Sequence, residues 1–236
     1  MTTFAEKIIS FCRGLVLKDE LPPGISVMNP FRSNPDILHI VEQFYRKYYN
    51  DHNKRHLILG INPGRFGAGV TGIPFTDTIR LREKCGILIE GPRTFEVSSV
   101  FVYDMIEEYG GPARFYSDFL VSAVSPLGFT KKGKNDKEQN YNYYDSRELE
   151  TSIHDFIIGN LQKQIDFGIY RDFCFCLGTG RNFRYLSVIN REYGFFQKIV
   201  PLEHPRFIMQ YKSGEKTRFI KKYIEAFSMI NPDGPA

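Results

Sequence analysis

The sequence predicts an α/β fold: a three-layer sandwich with a central four-stranded, mostly parallel sheet flanked by helices. Three observations carry that prediction. Four short runs are apolar throughout rather than alternating, the pattern of strands covered on both faces. Between them lie stretches whose apolar residues recur three and four apart, the pattern of helices with one buried face. Strands that alternate with helices join by right-handed crossovers, which makes the sheet parallel and puts helices on both of its sides.

Each element has a local reason. Asn34 reads as an N-cap with Pro35 at the first helical position, and Ile37, Val41, Phe44, Tyr45 and Tyr48 share a face of that helix. The first strand is Leu57-Ile58-Leu59-Gly60-Ile61 and the second is Phe119-Leu120-Val121-Ser122-Ala123-Val124. Asp145, with Glu148 three residues on, resembles a capping box and opens a helix with the stripe Leu149, Ile153, Phe156, Ile157 and Leu161. The third strand, Phe173-Cys174-Phe175-Cys176-Leu177, runs into Gly178-Thr179-Gly180 and a helix. The fourth is Ile199-Val200-Pro201-Leu202; Pro201 cannot donate to a ladder, which places this strand at a sheet edge. A last helix carries Ile220, Tyr223, Ile224 and Phe227.

Of 236 residues, 42% are hydrophobic and 25% charged, which excludes a disordered or fibrous chain. No repeat or linker divides the chain, so residues 1–236 read as one domain, with helices in 1–50 and the sheet core in 51–236. No apolar run approaches the ~20 residues that cross a bilayer. The uncharged stretch between Lys7 and Arg13 is too short for a signal-peptide core, so a cytoplasmic protein without membrane contact is expected. Four cysteines (Cys12, Cys85, Cys174, Cys176) make no disulfide framework and contain no C-x₂-C unit, so no metal cluster is expected. The histidines His39, His52, His56 and His154 form no ligand spacing and read as structural or surface residues. A net charge of +4 permits nucleic-acid binding without requiring it.

Ligands of such sheets bind beyond the carboxyl ends of the strands. After the first strand, residues 60–75 contain five glycines and two prolines, a wrapped loop whose backbone approaches a ligand closely. It is neither a dinucleotide fingerprint nor a phosphate-binding loop, because G-x-G-x-x-G and a closing Gly-Lys-Ser/Thr are both missing. Asn62 sits at the strand end and Phe75 at the far side of the loop. The fourth strand ends in Glu203-His204-Pro205-Arg206, where a neutral imidazole is placed to donate to a developing anion. Taken singly, Asn62 reads equally well as a cap, and His204 reads better as a capping or core histidine.

Taken together, Asn62-Pro63-Gly64 and His204-Pro205 resemble the two signature motifs of the uracil-DNA glycosylase superfamily. Phe66-Gly67, Thr71-Gly72 and Pro74-Phe75 bring the loop closest to its single-strand-selective monofunctional branch. The resemblance implies a monomeric enzyme without cofactor or metal. It would flip uracil out of DNA and hydrolyse its N-glycosidic bond, initiating base excision repair. It implies that Asn62 positions the attacking water and His204 hydrogen-bonds the base oxygen. Phe75 would stack on the base, Gly64 would leave room for it, and backbone groups of Phe66, Gly67 and Ala68 would read its edge. Arg206, Phe207, Gln210 and Tyr211 stand where the family places a wedge. Gly178, Thr179 and Gly180 stand where it takes a DNA phosphate, equally an ordinary turn into a helix. No lysine lies at a strand end for a Schiff base, so strand cleavage is not expected.

One position departs from the family. Ala123 falls where the resemblance calls for a uracil-reading asparagine, and a methyl cannot pair with the base. Ser122, Ser125, Asn140 or Asn142 are the alternatives for that task; otherwise a roomier pocket takes deaminated purines such as xanthine. Lys131, Lys132, Lys134 and Lys137 lie in what reads as a loop on the same edge, followed by Tyr141, Tyr143 and Tyr144. Lysines for phosphates beside aromatics for bases suit DNA, and a solvated loop suits them equally. Asp77 would orient water or cap the next helix. Two other functions fit the residues: a DNA-binding protein of the same fold with little turnover, favoured by Ala123, or an enzyme acting on nucleosides or nucleotides.

Overall fold

Asn29, Asn34, Asp77 and Ser146 each accept a hydrogen bond from a backbone amide two or three residues on, and each starts a helix. The computed structural model describes residues 2–91, 93–133 and 135–230. Its N-terminal part holds α1 (Phe4–Gly14), β1 (Ile25–Met28), α2 (Pro30–Ser33) and α3 (Pro35–Tyr49). β2 (Arg55–Gly60) follows, then α4 (Ala68–Thr71), α5 (Thr78–Cys85), α6 (Val97–Glu108) and α7 (Pro112–Asp118). Next come β3 (Phe119–Ala123), β4 (Gly128–Lys132), β5 (Glu138–Tyr141), α8 (Arg147–Ser152) and α9 (His154–Ile165). The chain continues through β6 (Ile169–Leu177), α10 (Arg181–Tyr193), β7 (Lys198–Leu202), α11 (Pro205–Tyr211) and α12 (Lys216–Phe227).

The central sheet has the order β3-β2-β6-β7, and every pairing in it is parallel. All six residues of β2 are buried, as its unbroken apolar run requires. β7 stands at an edge, and Pro201 faces Cys176 there without breaking a ladder on its outer side. Helices flank the sheet: α1, α3 and α7 pack as one group, α6, α11 and α12 as another. Phe227 of α12 closes the second group on the strands, its ring 4.6 Å from Phe119 and 4.9 Å from Phe175. Among the described residues no helix is long and apolar enough to cross a membrane.

Several expectations are corrected. The first fifty residues are not helical throughout: β1 joins β4 and β5 in a separate antiparallel sheet of three strands. Lys131 and Lys132 accordingly lie on β4, in a hairpin with β5, rather than in a loop, while Lys134 lies outside the described residues. Both β1 and β5 are four residues long and hold no buried residue; β1, Ile25-Ser26-Val27-Met28, is too short to stand out as an apolar run, and β5, Glu138-Gln139-Asn140-Tyr141, is too polar. Ser146, not Asp145, caps α8; Asp145 Oδ2 instead accepts from Asn142 N at 2.8 Å. The stripe from Leu149 to Leu161 spans two helices that meet at Ile153, and all five of its residues are buried. The glycine-rich segment after β2 contains one helical turn, α4, ended by Gly72 at φ 72°.

Candidate active site

The carboxyl ends of β2, β3 and β7 open on one cavity of about 420 Å³. Its walls include Asn62, Gly64, Ala68 and Phe75 from the loop after β2, Ser122 and Ala123 from β3, and His204 after β7. Parallel strands make that meeting possible, since all four point the same way and deliver their ends to one rim.

Asn62 is held from the second sheet. Its Oδ1 accepts from Tyr143 N at 3.1 Å, and its Nδ2 donates to the carbonyls of Tyr141 and Pro63, each at 3.3 Å. These bonds fix which way the amide faces and leave Oδ1 a second lone pair for a water. The strand ends behind it are tied by Asn182, buried at the start of α10. Asn182 Nδ2 donates to Gly60 O at 3.3 Å and Leu177 O at 3.1 Å, and its Oδ1 accepts from Tyr143 Oη at 2.8 Å.

His204 caps α11. Its Nδ1 accepts from Arg206 N at 3.2 Å, so the neutral ring carries its proton on Nε2, a donor. Burial pushes its pKa down to about 4, with the Arg206 charge adding to the effect. The imidazole is therefore neutral at neutral pH. Phe75 lies 5.7 Å from the His204 ring and holds a left-handed backbone at φ 52°. Such a conformation is costly for an aromatic residue and persists only where its surroundings enforce it. Here Thr71 Oγ1 donates to Thr76 O at 2.7 Å and accepts from Ile73 N at 3.1 Å, bracing the loop on both sides of the ring. The Phe75 ring also covers Gly60, where a Cβ would come within 2.9 Å of two ring carbons.

The other expected residues divide. Arg206, Phe207, Gln210 and Tyr211 line the mouth of the cavity; Phe207 and Tyr211 are exposed with rings 5.6 Å apart. Gly67 is buried within the loop and Phe66 is half-exposed with Arg65 over its ring; neither is among the residues that line the cavity. Ser125 is fully buried and its hydroxyl donates to Leu127 O at 2.8 Å, so it is not free to read a base. Ser122 lines the cavity but donates to Gln164. Asn140 and Asn142 both reach the cavity; Asn140 Oδ1 accepts from Arg65 N at 3.0 Å, which leaves its Nδ2 to act as a donor. Gly178, Thr179 and Gly180 are not among the cavity residues and stand at the N-terminus of α10. Lys131 lies over the Tyr141 ring and Lys132 pairs with Asp136, both outside the cavity. Tyr143 is a core residue rather than a free aromatic.

Two residues escaped sequence reasoning. One is Asn182, hidden in an ordinary helix. The other is Glu96, just ahead of α6, whose side chain enters the cavity. Burial pushes its carboxyl pKa up against a hydrogen bond from Ser98, while the Asp77 charge adds to the rise and Arg206 opposes it. Asp77 is itself fully buried and caps α5, accepting from Arg80 N at 2.8 Å.

A family model described as the uracil DNA glycosylase superfamily matches residues 46–228. Among solved structures, the crystal structure of wild-type SMUG2 from Pedobacter heparinus is similar at 55% sequence identity and a TM-score of 0.96, covering 98% of this chain and 100% of that one. No curated protein matches the chain.

Proposed function

Since the chain belongs to the uracil DNA glycosylase superfamily, it is a DNA glycosylase that acts on uracil, and we propose that it also takes deaminated purines such as xanthine and initiates base excision repair. The observation that carries the reading is the meeting of Asn62 and His204 on one cavity, each fixed by backbone hydrogen bonds.

The chemistry follows from those two groups. Asn62 Oδ1 orients a water toward C1′ of the flipped nucleotide. The water oxygen adds to C1′ and the electrons of the C1′–N bond leave with the base. The proton the water loses ends on the departed base, and the sugar keeps the hydroxyl. As negative charge grows on the base carbonyl, the Nε2–H of His204 donates to it. A preorganised donor of this kind lowers a barrier by about 3 kcal/mol. A neutral ring serves without carrying a charge into a buried site, consistent with a pKa of about 4.

Phe75 supplies a face for the base to stack on. Arg206, Phe207, Gln210 and Tyr211 at the mouth fill the space the base vacates, a task suited to long or aromatic side chains. Absence of an amide at Ala123 favours a pocket that accepts a purine ring as well as a pyrimidine.

The test is a panel of labelled oligonucleotides carrying uracil, xanthine, hypoxanthine or thymine, single-stranded and opposite each base. Alkali-dependent cleavage at uracil and at a deaminated purine supports the whole proposal. Cleavage at uracil alone removes the purine part, and tight binding without any cleavage overturns the catalytic reading.

A further inference from the structure

Glu96 stands at the N-cap position of α6, yet its side chain does not cap that helix. Asp77 fixes its backbone instead, accepting from Glu96 N at 2.8 Å and from Ser99 Oγ at 2.6 Å. The Glu96 carboxyl turns into the cavity and lies along the Asn62 loop. A Cβ placed on Gly64 would come 3.0 Å from its Oε1, and one on Gly67 only 1.9 Å from its Oε2. Two loop glycines thus leave the space that one carboxyl fills. Asn140 Nδ2 lies 3.7 Å from the same Gly64 position. An acceptor and a donor therefore stand by the same loop glycine, in a cavity where Ala123 offers only a methyl.

We propose that Glu96 is a specificity-determining residue whose carboxyl oxygen accepts the ring N–H of the flipped base, while Asn140 Nδ2 donates to the neighbouring carbonyl. The inference rests on the glycosylase reading above and names how that site selects its substrate. Uracil, hypoxanthine and xanthine share a carbonyl beside a ring N–H. Cytosine and adenine present a bare ring nitrogen beside an amine, so the carboxyl oxygen would face a lone pair. A carboxyl keeps an acceptor oxygen whether ionised or protonated, so the contact survives either state. A site built to hydrogen-bond a group rejects the analogue lacking it, because its own polar atoms are left unpaired.

The experiment compares single-turnover excision of uracil and hypoxanthine by the wild type, Glu96→Gln, Glu96→Leu and Glu96→Ala. Affinity for abasic-site DNA and thermal unfolding are measured alongside. Glutamine keeps an acceptor in the same place; leucine keeps the volume without one. The expected result is a loss of about tenfold or more in the leucine and alanine variants, with the glutamine variant within about threefold of wild type. Affinity for abasic-site DNA stays unchanged. Wild-type rates in the leucine variant overturn the inference. A glutamine variant as impaired as leucine overturns it too, because the charge facing Arg206 rather than the acceptor would then matter. Should alanine fail to fold, the glutamine–leucine pair carries the same comparison. A wild type inert on every base overturns the glycosylase reading, and this inference with it, before any variant is compared.

Discussion

Asn62 and His204 are the two residues whose chemistry is most sharply testable. Replacing either by alanine is expected to cut the single-turnover rate of base excision by about 100-fold or more, with DNA affinity nearly unchanged. Equal losses of affinity would mark them as binding residues instead. His204 also sets a pH dependence. Its folded pKa lies below the ordinary 6.5, so the neutral donor persists as pH falls until about 4. The acidic limb assignable to this residue should therefore appear near 4, seen in a pH–rate profile and missing from His204→Ala. Between 6.5 and about 4 the unfolded chain binds a proton that the folded chain does not, so acidification across that window destabilises the fold. Gly64 gives a steric test. Glu96 Oε1 already approaches the place of a Cβ there, so Gly64→Tyr is expected to abolish excision while DNA binding persists. A fully active tyrosine variant would show that the loop does not line the site.

At the scale of elements, the loop between β2 and α5 is a device for holding Phe75 in a conformation it would not choose. Thr71 braces it with a buried hydroxyl that both donates and accepts. Thr71→Val keeps the shape, removes those bonds and leaves buried backbone groups unpaired. A destabilisation of about 1–3 kcal/mol is expected in chemical denaturation, with a loss of excision rate as Phe75 relaxes. The four strands of the central sheet and the helices α3, α9, α10 and α12 were legible because each carries an apolar run, a period or a start signal of its own. Caps and short strands were not. Asp145 and Ser146 are both good caps by type, and which of them receives the amide of the first turn depends on how the chain enters α8. β5 has no apolar run and β1 only a four-residue one broken by Ser26; both are held by pairing with β4.

On the scale of the whole molecule, Arg55 joins the N-terminal helices to the sheet. It is fully buried, packs against the rings of Phe4 and Tyr49 at 4.6 and 4.7 Å, pairs with Asp51, and donates to Tyr116 O. Elements from α1, α3, β2 and α7 meet on that one guanidinium. Arg55→Ala removes one partner of a buried network and is expected to cost about 3–5 kcal/mol, measured by denaturant unfolding. Lysine would keep the charge but not the fork or the stacking, so it should rescue little.

The four strands of the central sheet, the helices that alternate with them and the two residues at the ends of β2 and β7 were set by the sequence itself. Apolar runs, glycines and a locked His-Pro are local features, readable without knowing what they touch. Tertiary structure decided everything that depends on residues far apart. Asn62 is aimed by the backbone of Tyr141 and Tyr143, Phe75 is placed over Gly60, and Glu96 arrives from a segment without any motif. The physical reason is that a strand fixes its own ends by local hydrogen bonding and burial. The facing of a side chain into a shared cavity is settled only when the other walls are packed in place.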